Sequence, residues 1–67
     1  MIQVSVNGST EKFEGPVAVS ALLDRLALAG RKVAVERNGE IVPRSRYAAT
    51  PLAHGDRLEI VVAVGGG

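Results

Sequence analysis

The chain has 67 residues, 46% of them hydrophobic, with eight basic and seven acidic side chains and a formal net charge of +1. So short a chain buries only roughly 60% of its unfolded surface, which excludes two separate cores and leaves one domain over residues 1–67, filled by Val, Ile, Leu and Ala because the sequence holds one Phe, one Tyr and no Trp. The absence of Cys excludes disulfides, thiolate metal sites and thiol chemistry on the chain itself, and the near balance of charge argues against nucleic acid or a membrane surface as partner.

Ile2-Gln3-Val4-Ser5-Val6 alternates apolar and polar residues with period two, which predicts a strand with one buried face. Asn7-Gly8 suits the positive φ angles of a tight hairpin turn, so residues 10–14 are expected to return as a second strand with Phe13 facing the core. Gly15-Pro16 breaks that strand, and Val19, Leu22, Leu23 and Leu26 then recur at the spacing of one helix face. Ser20 is a poorly placed candidate N-cap, and Gly30 suits the left-handed position just past a helix end.

A third strand is predicted over 32–37 with Val33 and Val35 on one side, followed by a second hairpin signal at Asn38-Gly39 and a short strand over 40–42. Pro43 lacks a backbone donor, so this fourth strand belongs at an edge. One loose helical turn is expected over 44–49, then turn chemistry at Thr50-Pro51 and Gly55-Asp56, then a last strand over 57–64 with Leu58, Ile60, Val62 and Val64 on one face. The order β-β-α-β-β-β, with first and last strands adjacent, predicts an α+β fold of the ubiquitin-like β-grasp type, a mixed sheet of about five strands on one main helix.

The sequence closes on Gly65-Gly66-Gly67, directly after that apolar strand. Taken alone, three glycines are more readily explained by a frayed terminus, and it is their position directly after an apolar strand that supports a function. The functional reading is a flexible tail over 65–67 that threads a narrow enzyme channel, reaching at most roughly 10 Å at about 3.3 Å per residue. A carboxylate is a poor electrophile and reacts only after conversion to a mixed anhydride such as an acyl adenylate. No glycine-rich loop here precedes a helix to hold phosphate, and no nucleophile, base and orienting residue can be assembled, so the chain reads as a substrate and carrier rather than an enzyme. It is expected to bind no cofactor or metal itself, ATP and Mg being used by a partner enzyme.

The segment Val35-Glu36-Arg37-Asn38-Gly39-Glu40-Ile41-Val42-Pro43-Arg44, then Leu52, Gly55-Asp56-Arg57-Leu58-Glu59-Ile60 and the terminal glycines, resembles the ThiS family of sulfur carriers in thiamine biosynthesis. The length and the Val19-to-Leu26 helix face extend the resemblance over nearly the whole chain. It implies that Gly67 is adenylylated by a ThiF-type enzyme and converted to a thiocarboxylate, with Gly65, Gly66 and Gly67 inserted in the partner's active site. It further implies a persulfide sulfur donor such as a cysteine desulfurase, and a ThiG-type thiazole synthase as the acceptor of the sulfur. The related small subunit of molybdopterin synthase would use the same chemistry but tends to be longer, with prolines before its tail. A ubiquitin-like protein modifier and a nucleic-acid-binding β-grasp module are the remaining alternatives, the latter opposed by the lack of a basic stripe and of stacking aromatics.

Strand alternation sets Val61 and Ala63 opposite the core face, as a candidate partner interface unless a loop or Tyr47 covers them. Arg31-Lys32 and Arg44 with Arg46 are small basic clusters, either solvated or suited to an acidic groove or a phosphate. His54 has no second ligand at metal spacing and is assigned to a loop. No apolar run approaches the roughly 20 residues of a membrane span, and no basic-then-apolar leader precedes the first strand, so a cytoplasmic, soluble protein is expected.

Overall fold

The structure is a computed structural model of the chain, in which residues 1–62 are described. The strands are β1 (Ile2–Val6), β2 (Ser9–Phe13), β3 (Val33–Arg37), β4 (Glu40–Val42) and β5 (Arg57–Val62), with helix α1 (Val19–Arg25) and a 3₁₀ helix (Arg44–Ala49). They form one sheet in the order β2-β1-β5-β3-β4, in which β1 and β5 run parallel and the other pairs are antiparallel. One main helix on a mixed five-stranded sheet is the β-grasp arrangement that the pattern of apolar residues predicts.

Local chemistry accounts for the elements. Both hairpins turn on Asn-Gly, with Asn7 and Asn38 at φ 49° and 53° and Gly8 and Gly39 both at φ 87°, the mirror-image turn whose twist matches that of the flanking strands. β4 is three residues long, lies at the sheet edge and stops before Pro43. The inner faces of the strands then meet α1. Val4, Val6, Phe13, Val35, Val42, Leu58 and Ile60 bury against Val19, Leu22 and Leu23, with Leu52 closing one end. Leu22 and Leu58 are both 0% exposed, so truncating either to Ala is expected to cost about 2–5 kcal/mol.

The helix ends differ from the expected ones. Ser20 does not cap the N-terminus. The Val19 N–H donates instead to the Thr50 carbonyl at 2.9 Å, beside a bridge between Ala18 and Pro51, so the first orphan donor is met by the segment that follows the 3₁₀ helix. At the other end, the left-handed residue is Ala27 at φ 61° rather than Gly30, which lies in the next turn at φ 80°. The N–H of Ala27 donates to the Asp24 carbonyl at 3.0 Å and that of Leu28 to the Leu23 carbonyl at 2.8 Å. This pair of bonds is the Schellman motif, normally closed by glycine.

Two polar locks hold the loops to the sheet. Asp56, 7% exposed, accepts from the Arg37 Nε at 2.7 Å, the Asn38 Nδ2 at 3.0 Å and the Ala53 backbone N–H at 2.8 Å, tying the 53–56 loop to the β3–β4 hairpin. Burial raises the Asp56 carboxyl. The Ala53 N–H and then the side chains of Arg37 and Asn38, together with the Arg37 charge, more than offset this and leave its pKa below the ordinary carboxylate value. At the helix, Arg25 stacks over Phe13 at 4.5 Å and faces Glu11 at 3.6 Å, joining α1 to β2.

Two outcomes follow from these contacts. Replacing Ala27 by Gly relieves a side chain held at positive φ and should raise stability by about 0.5–1 kcal/mol in denaturant unfolding; a loss would contradict the assignment of the left-handed cap. Because the folded-state pKa of Asp56 is depressed, its contribution is present above the unfolded-state value of about 3.9 and is lost as pH falls through the folded value. The wild-type chain should therefore lose more stability between pH 5 and pH 2 than Asp56→Asn, and parallel losses would rule the lock out as the cause.

Candidate functional site

β5 leads toward the glycines, and its geometry defines the end of the sheet from which they continue. It pairs with β3 from Val33↔Val62 to Arg37↔Leu58, five residue pairs in all. On its other side β1 supplies only Ser5↔Arg57 and Val6↔Leu58. There the Asn7 side chain continues the ladder. Its Oδ1 accepts from the Ile60 N–H at 2.8 Å and its Nδ2 donates to the Ile60 carbonyl at 2.9 Å, so an amide stands in for one more residue of strand. At about 0.5–1.5 kcal/mol for each bond, this clamp holds β5 where β1 has already turned away.

Gly65, Gly66 and Gly67, with Ala63 and Val64, lie outside the described residues. Val61 is 64% exposed on the face of the sheet opposite α1. Tyr47 does not cover it, because that ring packs against the core and its hydroxyl donates to the Val33 carbonyl at 3.3 Å. Val61 pairs with exposed Ala34, and on the same open face the β4 residue Ile41, also 64% exposed, pairs with Glu36.

Glu36 and Glu59 face each other directly across β3 and β5. Like charges in that position destabilise a sheet by a few tenths of a kcal/mol or more, on the order of 0.2–1. Among the described residues the ion pairs are Arg25–Glu11 and Arg37–Asp56, so neither glutamate has a cation at pairing distance. They line a shallow concavity of about 480 Å³ with Asn38, Gly39, Gly55 and Arg57. The open face thus combines isolated apolar side chains with an uncompensated acidic pair.

The other residues singled out from the sequence lie elsewhere on the molecule. His54 is a loop residue whose Nδ1 accepts from the Gln3 backbone N–H at 3.1 Å, and among the described residues no group of three or more His, Asp or Glu is placed to hold a metal. Arg31, Lys32, Arg44 and Arg46 are exposed. Arg31 and Arg44 meet on one crevice beside α1, and Arg46 lines a separate hollow with Arg37, Glu40 and Ile41. Among the described residues no helix is long and apolar enough to cross a membrane. Sequence reasoning missed the Asn7 clamp; an amide that both donates and accepts, at the first position of a turn, is the one signal that pointed to it.

Residues 4–67 match the ThiS family. The chain is 48% identical over 66 residues to a thiazole synthase of Paramagnetospirillum magneticum, a match covering 98% of this chain and 20% of that protein. It spans about one fifth of the length of the first curated relatives it matches, both thiazole synthases. It is also 37% identical over 65 residues to the sulfur carrier protein ThiS of Bacillus subtilis, covering 96% of this chain and 98% of that one. Among solved structures, the thiamine biosynthesis protein ThiS of Geobacter metallireducens superposes with a TM-score of 0.80 at 35% identity, covering 98% of this chain and all of that one. With its β-grasp sheet, its closing glycines and a match from Val4 to the last residue, the chain belongs to the ThiS family.

Proposed function

We propose that this chain is a sulfur carrier of thiamine biosynthesis and that the carboxylate of Gly67 is the atom group that carries the sulfur. The observation that bears most of the weight is the end-to-end correspondence with the Bacillus subtilis sulfur carrier, 98% of which is covered. The three glycines after β5 add the chemistry such a carrier needs. Names of the relatives favour the thiamine branch over molybdopterin synthesis.

The steps balance as follows. A ThiF-type partner binds ATP and Mg, and a Gly67 carboxylate oxygen attacks the α-phosphorus, expelling pyrophosphate and leaving an acyl adenylate. The terminal sulfur of a persulfide, such as that of a cysteine desulfurase, then attacks the acyl carbon and AMP departs. A second thiol reduces the resulting acyl disulfide by two electrons, which releases the thiocarboxylate and leaves a disulfide on the donor side. Thiazole synthase takes the sulfur. This last partner is supported by the two relatives of that name in which a segment similar to this chain forms part of a longer protein.

This chain's own contribution is presentation. Residues 65–67 carry no Cβ atoms to obstruct a narrow channel. The β5 clamp made by β3 and Asn7 gives the partner a rigid base, and Val61 with Ala63 forms the apolar contact beside the entry. Opposite the uncompensated Glu36 and Glu59 pair, a basic side chain of the partner would be favoured. The chemistry belongs in the cytoplasm, where thiols stay reduced.

Deleting Gly67 should abolish sulfur uptake from the adenylating enzyme, ATP and a sulfur donor while leaving thermal unfolding unchanged; uptake that survives the deletion would refute the reading. Val61→Asp should raise KM for the adenylating enzyme about tenfold, near 1.4 kcal/mol, with kcat held within about twofold.

A further inference from the structure

Two basic side chains separated by the whole of β3 and β4 meet on one crevice. It lies between the C-terminal end of α1 and the 3₁₀ helix, has a volume of about 150 Å³, and is lined by Leu23, Leu28 and Tyr47 with Arg31, Arg44 and Asp24 among the polar groups. Both arginines are exposed, and among the described residues neither has a carboxylate at ion-pair distance. A guanidinium pairs with a carboxylate through two parallel hydrogen bonds, and the volume suits one medium-sized apolar side chain.

The helix end does not oppose an anion here. The carbonyls of Leu22, Leu23 and Asp24 already accept from the N–H groups of Leu26, Leu28 and Ala27 at 3.1, 2.8 and 3.0 Å, which quenches much of the negative end of the helix dipole. Asp24 is the one carboxylate on the wall. With an apolar floor and no buried donors, the crevice is a poor cradle for a bare phosphate. It fits a peptide that brings an apolar side chain and a carboxylate together.

Its position ties it to the carrier end. Tyr47 donates to the Val33 carbonyl, and Val33 pairs with Val62, the last described residue before the tail. Under the carrier reading, a protein that receives residues 63–67 docks at the end of the sheet where Val33 pairs with Val62, next to this crevice and its two exposed guanidiniums. We propose that this crevice is a second docking site, which takes from the receiving enzyme an acidic segment bearing an aliphatic or aromatic side chain next to a carboxylate. The inference rests on the carrier reading for the identity of that enzyme, and on the crevice alone for the chemistry.

The test is a titration of the isotope-labelled full chain with the blocked peptide acetyl-Glu-Leu-Asp-amide, followed by nuclear magnetic resonance. Saturable shifts at Leu28, Arg31, Arg44 and Tyr47 are expected, weakened tenfold or more in Arg31→Gln/Arg44→Gln and absent with a Lys-Leu-Lys peptide. Non-saturable shifts, or equal binding by the double variant, would overturn the proposal, as would inorganic phosphate that displaces the peptide at equal concentration. Removing Gly67 should leave peptide binding unchanged. Failure of sulfur loading with intact peptide binding would therefore count against the carrier reading alone, and loss of peptide binding with normal loading against the crevice alone.

Discussion

Everything in this fold depends on β5 being held on both sides. Its inner face carries Leu58 and Ile60, 0% and 6% exposed, against α1, and burying those two side chains contributes roughly 1.5–3 kcal/mol each. Under the carrier reading, the same strand must also continue into glycines that an enzyme can receive. A central strand satisfies both demands, because its backbone is paired along most of its length and only its end remains for the partner. The unequal ladders show how this is done. β3 accompanies β5 as far as Val62, β1 turns away after Val6, and the Asn7 amide bridges the gap at Ile60.

Around that strand the buried polar groups are few and satisfied. Among the described residues no buried side-chain nitrogen or oxygen lacks a hydrogen-bond partner. Asp56 illustrates the principle: a buried carboxylate is tolerated because three donors converge on it, and in exchange it fixes the loop that delivers β5. The pair of half-buried Glu36 and exposed Glu59 obeys no such rule. A like-charged pair across two central strands weakens the free protein slightly, and under the carrier reading a basic partner group offsets that cost on docking.

Much of this was legible in the residues themselves. Period-two alternation located β1, β3 and β5, the helical spacing of Val19, Leu22 and Leu23 located α1, and Asn-Gly located both hairpins to the residue. Pro43 marked the edge strand, and the 44–49 helical turn is the observed 3₁₀ helix. What stayed hidden depends on contacts between distant segments. Nothing local says that Thr50 caps α1 or that Ala27 takes the left-handed cap. The convergence of Arg31 with Arg44 likewise exists only after β3 and β4 have folded back. The exposure of Val61 followed from alternation, but that Tyr47 packs on the other side of the sheet did not.

The central claim concerns one carboxylate, and mass spectrometry of intact and fragmented protein after incubation with the adenylating enzyme, ATP and a sulfur donor tests it most directly. Replacement of oxygen by sulfur adds nearly the same mass as oxidation of Met1, so the gain must be assigned to the C-terminal fragment and shown to react with an alkylating reagent. The account predicts an alkylatable gain confined to the fragment ending at Gly67. An unchanged C-terminal fragment, with the enzyme shown to be active on another carrier of the family, would contradict it.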